Sequence, residues 1–170
     1  QADRSIGNMG YILHCFSCLH REYQKGITPP FKWDCPECGS RLQTAGPLWL
    51  GPLWDGGFSA RVKDEAVGRS LRNRARIFQM VSLIIGEEKA PMTYYVSDKL
   101  CDKFNLPIPQ LSKIMTELRK MGFQAVATHF SSKAFRTDAP AGVVKEVVSK
   151  LAENQVLKTQ ETNIRRRVHD

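Results

Sequence analysis

Apolar residues follow a helical period from Phe58 onward, interrupted once after Gly122, and no helical period before it. Phe58, Val62 and Ala66 share one helical face. A second helix is predicted over Leu71 to Glu88, with Ile77, Val81, Ile84 and Ile85 inward and Pro91 as its stop. A third spans Thr93 to Phe104, capped by Thr93, with Val96, Leu100 and Phe104 on one side. After the turn Asn105-Leu-Pro-Ile-Pro109 a fourth helix starts at Pro109 or Gln110. Its stripe of Leu111, Ile114, Met115 and Leu118 is an i, i+3, i+4, i+7 series, and Gly122 closes it. The period then changes. Phe123 to Phe130 reads as a strand, Ser131 to Lys133 as a turn and Ala134 to Thr137 as the returning strand. Asp138 caps a last helix opened by Pro140, with Val143, Val144, Val147, Val148 and Leu151 inward. A polar tail from Lys158, ending in Arg165-Arg-Arg167, is expected to be flexible.

Upstream of Phe58 two segments stand out. Tyr11 to Phe16 is apolar with no obvious partner strand nearby, and is expected to belong to the edge of a sheet outside this chain. Gly46-Pro-Leu-Trp-Leu-Gly51-Pro-Leu-Trp-Asp55 nearly repeats itself. Proline removes backbone donors and glycine admits unusual angles, so this is neither helix nor central strand. Its two Trp and three Leu suggest an extended strap buried at a domain junction; a platform for stacking bases is the alternative.

Helix, short turn, helix and hairpin is the order of a winged helix. The expected fold class is therefore α+β, a four-cysteine zinc ribbon followed by a winged-helix-like domain with flanking helices. The expected divisions are 1–14 as a leftover strand at a junction, 15–57 as ribbon and strap, 58–157 as the winged-helix-like domain and 158–170 as a basic tail.

The chemistry begins with the cysteines. Four of the five form the pairs Cys15-Phe-Ser-Cys18 and Cys35-Pro-Glu-Cys38. A two-residue spacer bends the backbone so that both thiolates take adjacent corners of a tetrahedron, and the second pair completes it. Four thiolates leave no open position, so the expected metal is a structural zinc. Two disulfides or four buried thiols are the alternatives, and His14 and His20 are read as neighbours of the site. Gly39 can supply a positive φ after the second pair. The loop from Leu19 to Asp34, with Arg21, Lys25, Lys32 and Trp33, is either an RNA contact or a rigid turn. Cys101 stands alone on the third helix and is expected to be buried packing.

The net charge is +8, from 25 Lys and Arg against 17 Asp and Glu. Such an excess favours a polyanionic partner, most simply nucleic acid, with a solvated basic face as the alternative. Arg72, Arg74 and Arg76 alternate on the second helix and cannot all face inward. Lys113, Arg119 and Lys120 lie on the fourth helix, and His129, Lys133 and Arg136 on the hairpin. These nine are the candidate RNA contacts. No stretch approaches the length of a membrane span, so no membrane partner is expected. No catalytic constellation is visible, and no Gly-rich cofactor loop follows a strand.

Taken together, the four-cysteine ribbon, the Gly-Pro-Leu-Trp strap, Tyr94-Tyr95, Ala127-Thr128-His129 and Arg136-Thr137-Asp138-Ala139-Pro140 resemble the tRNA guanine-26 N2-dimethyltransferases, over roughly residues 10 to 150. Trp54 stands where many members carry His, and the Arg165-Arg-Arg167 segment departs from the family, which leaves the animal dimethyltransferase-like branch open. The resemblance implies a tRNA-binding C-terminal region of an S-adenosylmethionine-dependent methyltransferase. The donor and an Asp-Pro motif would lie in an absent N-terminal domain, which would be a partner of this region, and the fragment would be inactive alone. It also implies an intracellular, nuclear location, with a mitochondrial one left open. The competing expectation is a zinc-ribbon winged-helix protein that binds duplex DNA or a protein in transcription.

Overall fold

The computed structural model describes the backbone of residues 2–168 and the side chains of residues 3, 5–157 and 160. The chain forms two compact units, Gln1–Glu88 with Pro140–Gly142, and Lys89–Ala139 with Val143–Asp170. No helix among the described residues is long and apolar enough to cross a membrane.

The first unit begins with a short helix α1 (Ala2–Ile6) and strand β1 (Met9–His14). β1 is the centre of an antiparallel sheet, flanked by β2 (Arg21–Lys25) and β3 (Gln43–Trp49). This corrects the expectation of an orphan strand: both partners lie in this chain. β2 reads Arg-Glu-Tyr-Gln-Lys and has no apolar alternation to reveal it. β3 contains Gly46-Pro47 and is an edge strand, where a missing donor is tolerated. Within β1, Tyr11 and Leu13 point to the buried side while Ile12 and His14 point to the half-open side. The strap is less buried than expected. Leu50 is buried, but Leu48, Trp49 and Leu53 are exposed, and the Trp49 indole donates to the Pro52 carbonyl at 3.1 Å.

Helix α2 (Gly56–Val67) is capped by Asp55, whose Oδ1 accepts from the Phe58 N–H at 2.7 Å. Its start is pinned by Glu88, which accepts from the Gly56 N–H, and a Cβ at Gly56 would collide with that carboxylate. Only Ala66 of the expected stripe is buried; Phe58 and Val62 are exposed. Helix α3 (Arg74–Gly86) packs on α2, yet none of its residues is buried. Ile77, Val81, Ile84 and Ile85 are half-buried rather than enclosed.

The second unit opens with β4 (Tyr95–Val96) and α4 (Ser97–Phe104). The sequence read the first of these as helix. Aromatic and β-branched side chains at Tyr94, Tyr95 and Val96 suit a strand, and Tyr95 pairs with Phe135. Asn105, in the left-handed region at φ 52°, ends α4. Helix α5 (Leu111–Lys120) buries Ile114 and Leu118 completely, as its stripe predicts, and Gly122 leaves it at φ 89°. β5 (Ala125–Ala127) and β6 (Ala134–Thr137) follow. β6 lies between β4 and β5, so all four of its residues are buried, including Arg136 and Thr137. Helix α6 (Ala141–Val168) closes the chain and buries Val144, Val147, Val148 and Ala152. Its backbone is helical from Lys158 to Val168, where a flexible tail was expected; residues 169 and 170 lie outside the described residues. Asp138 does not cap it: that carboxylate accepts instead from the Gln124 N–H at 2.8 Å.

Candidate metal centre and cationic faces

The two cysteine pairs fold alike. The Cys15 N–H donates to the His20 carbonyl at 2.9 Å and the Leu19 N–H returns to the Cys15 carbonyl at 2.8 Å. In the second pair the Cys35 N–H donates to Ser40 at 2.8 Å and the Gly39 N–H to Cys35 at 2.9 Å. Each turn needs a residue in the left-handed region four positions after its first cysteine. Gly39 supplies it at φ 70°, as its sequence position suggests, and Leu19 is held there at φ 66°.

The four Sγ atoms lie within 4.8 Å of one another, with Cys15–Cys38 and Cys18–Cys35 both at 3.5 Å. Tetrahedral zinc thiolates, at about 2.3 Å from the metal, sit roughly 3.8 Å apart. The donor set and its spacing fit such an ion, and none of the four cysteines is in a disulfide. Hydrogen bonds from Ser40 bring the Cys38 thiol down to about 6, whereas burial pushes Cys18 and Cys35 up.

His14 and His20 stay out of the donor set. His20 Nδ1 lies 2.8 Å from Glu37 Oε1. Burial, helped by Arg21, lowers the pKa of His14, whose ring meets Phe16 edge-on at 4.5 Å. Glu37, which the sequence reading passed over, sits between Cys35 and Cys38 and accepts from the Ala141 and Gly142 N–H groups at 3.2 and 2.8 Å. Burial raises its pKa, but the bonds from His20, Gly142 and Ala141 outweigh that and leave it lowered. The cap of α6 thus comes from a residue far upstream, which no local pattern announces.

The nine basic candidates divide. In the first unit Arg72, Arg74 and Arg76 are exposed, with Arg74 stacked over Phe78 at 5.5 Å. In the second unit Lys113 is exposed. Lys120 pairs with Glu117 at 2.8 Å, and Lys133 pairs with Asp98. The Arg119 guanidinium donates to the Ala125 carbonyl through Nε at 2.7 Å. His129 is half-buried and meets Phe130 edge-on. Arg136 is 4 % exposed and donates to the carbonyls of Pro91 and Met92 at 2.8 and 2.7 Å. It holds a loop and is withdrawn from the candidate contacts. Cys101 is fully buried, as expected, and burial pushes its thiol up.

The family model for N2,N2-dimethylguanosine tRNA methyltransferase matches residues 1–149. Among curated proteins, the chain is 31 % identical over 156 residues to the tRNA (guanine(26)-N(2))-dimethyltransferase of Methanosphaera stadtmanae, covering 92 % of this chain and 40 % of that protein. The enzyme of the same name from Methanobrevibacter smithii is 34 % identical over 152 residues, covering 89 % and 39 %. The chain thus spans about two fifths of the length of these relatives. A solved structure of Trm1 from Pyrococcus horikoshii, in complex with S-adenosyl-L-methionine, matches with a TM-score of 0.70 and 24 % identity over 86 % of this chain and 37 % of that one.

These matches overturn two expectations. The fold is the mixed α/β fold shared with Trm1, and the composite of a separate zinc ribbon and a winged-helix-like domain is not supported. The strand pairing adds one point: β1, expected as a leftover strand, shares a sheet with the ribbon and the strap. The reading of a C-terminal tRNA-binding region lacking the catalytic domain is overturned as well, because the chain aligns with the methyltransferase model itself and with a donor-bound Trm1. The transcription-factor alternative falls with it.

Proposed function

We propose, since this chain belongs to the N2,N2-dimethylguanosine tRNA methyltransferase family, that the protein carries methyl groups from S-adenosylmethionine to the N2 amine of a guanine in tRNA. The observation that carries this reading is the family match over residues 1–149. In the transfer, the sulfonium methyl passes to the exocyclic nitrogen, which loses a proton; no residue of this chain is assigned to either step. Cys15, Cys18, Cys35 and Cys38 hold a structural zinc that fixes the two turns and adds no chemistry of its own. Arg72, Arg74, Arg76 and Lys113, exposed and without neighbouring carboxylate partners among the ion pairs described, supply phosphate contacts that position without reading sequence. Lys120 and Lys133 contribute less, since each is shared with a carboxylate.

The test is methyl transfer. The protein carrying this chain, incubated with labelled S-adenosylmethionine and unmodified tRNA, should yield N2-methylated guanosine on nucleoside analysis. Labelled tRNA without any N2-methylguanosine would overturn the reading. Arg74→Glu should weaken tRNA binding across all tRNAs and flatten its salt dependence by about one unit.

A further inference from the structure

The sheet of the first unit has two unlike faces. Register places Ile12 opposite Tyr23 and Ala45, and His14 opposite Arg21 and Gln43. Gly10 stands opposite Lys25. Opposed residues share a face, so Arg21, Tyr23 and Lys25 form one stripe on β2, about 7 Å from one to the next. The buried Tyr11 and Leu13 belong to the other face, together with Glu22, which pairs with Lys32 at 2.9 Å. The stripe's own face carries no carboxylate at any strand position. Ile12 and Ala45 lie opposite Tyr23 at its centre, and the Leu50 side chain packs over Gly10 at one end. Tyr23 is 59 % exposed, and Phe16, whose ring meets His14, is 57 % exposed.

An exposed aromatic ring between two cations on one strand is what an unpaired nucleotide segment needs: a ring for the base and charges for the flanking phosphates. Duplex RNA offers no open base face to such a ring, and an apolar protein surface would not use the cations. We infer that this face binds an unpaired segment of RNA, with a base stacked on Tyr23 and the backbone running past Arg21 and Lys25. The inference rests on the tRNA reading above and adds to it a face and a kind of RNA structure. Arg21 and Lys25 belong to the segment that the sequence offers as either an RNA contact or a rigid turn; the Tyr23 ring between them is not singled out there.

The 170-residue chain, loaded with zinc, is titrated into a fluorescently labelled unstructured RNA oligonucleotide, a fully paired RNA duplex and an unmodified tRNA, with anisotropy as the readout. Tyr23→Ala should weaken binding to the unstructured strand about tenfold. Tyr23→Phe, which keeps the ring, should retain wild-type affinity, and Lys25→Glu should lower affinity and the salt slope together. Duplex binding should be weaker and unmoved by Tyr23→Ala. Since the ring is mostly in solvent, the melting temperature and zinc content of all variants should match wild type, which separates lost stacking from lost structure. Tight tRNA binding with Tyr23→Ala unchanged would overturn this inference and leave the tRNA reading standing. Equal loss for duplex and single strand would also overturn it. A wild-type chain that binds none of the three RNAs would overturn both.

Discussion

Around the four cysteines, the buried cluster is Leu13, Cys15, Cys35 and Leu42, and half of it consists of sulfur donors. Between Tyr95 and Ala152 the fully buried side chains include Ile114, Leu118, Phe135, Val144 and Val148. The first region has too little apolar area to offset the ordering of its backbone. The zinc proposed above would supply the difference, since it binds the folded arrangement and not the open chain. The second region has a larger apolar store, since two helices, three strands and the first half of α6 each bury apolar side chains. The cysteine region should thus stand or fall with the proposed zinc, while the other responds to the volume of single side chains.

The largest effect should follow Cys35→Ser or treatment with a strong zinc chelator. Amide signals from Met9 to Trp49 should lose their dispersion, while those from Tyr95 to Ala152 keep theirs, as followed by two-dimensional NMR. Retention of both sets in a chain shown to be free of zinc would end the distinction. Next is Phe135→Ala. The ring is fully buried on the central strand and stacks on Tyr95 at 5.7 Å. Its loss should cost about 3–5 kcal/mol, measured by urea unfolding, with zinc content unchanged. Arg136→Met should cost less, about 1–3 kcal/mol, because it leaves the Pro91 and Met92 carbonyls short of a donor while keeping some of the packing. Wild-type stability with weakened tRNA binding would instead return Arg136 to the RNA face. The smallest effect is chemical. Burial, reinforced by Asp102 and Asp98, holds the Cys101 thiol above its ordinary range, so little thiolate exists at pH 8. A thiol reagent should leave it unmodified in the zinc-loaded chain and label it quickly after unfolding. Fast labelling of the folded chain would show that this core opens.

The parts legible in the sequence are those where one short pattern has one meaning. Four thiols in two close pairs admit few arrangements, and the structure gathers them. The stripe of α5 and the span of β6 match the expectation because amphipathic period and turn residues agree there. The failures have physical causes. Three of the five residues of β2 are charged and β3 carries a proline, so neither has the pattern of a partner for β1. Val96 falls on a helical period although it caps α4 from extended backbone. Arg136 looked like a hairpin cation because sequence shows charge and not enclosure; only the insertion of β6 between two strands reveals it as buried. The stripe of α3 has the spacing of a core face, yet its residues are no more than half-buried. A helical period states which side is apolar and not how much of it is covered.

The bonds that the Ala141 and Gly142 N–H groups donate to Glu37 join residues 104 and 105 positions apart along the chain. Closing a loop of that length costs about 2 kcal/mol more than closing one of ten residues. A contact so distant in sequence forms only after most of the intervening chain has settled, and it is among the first to be given up when the structure breathes. The opening turn of α6 is therefore a late arrival in folding and a weak point afterwards. Its two amides should exchange with solvent well before those of Val144 and Val148 one turn further on.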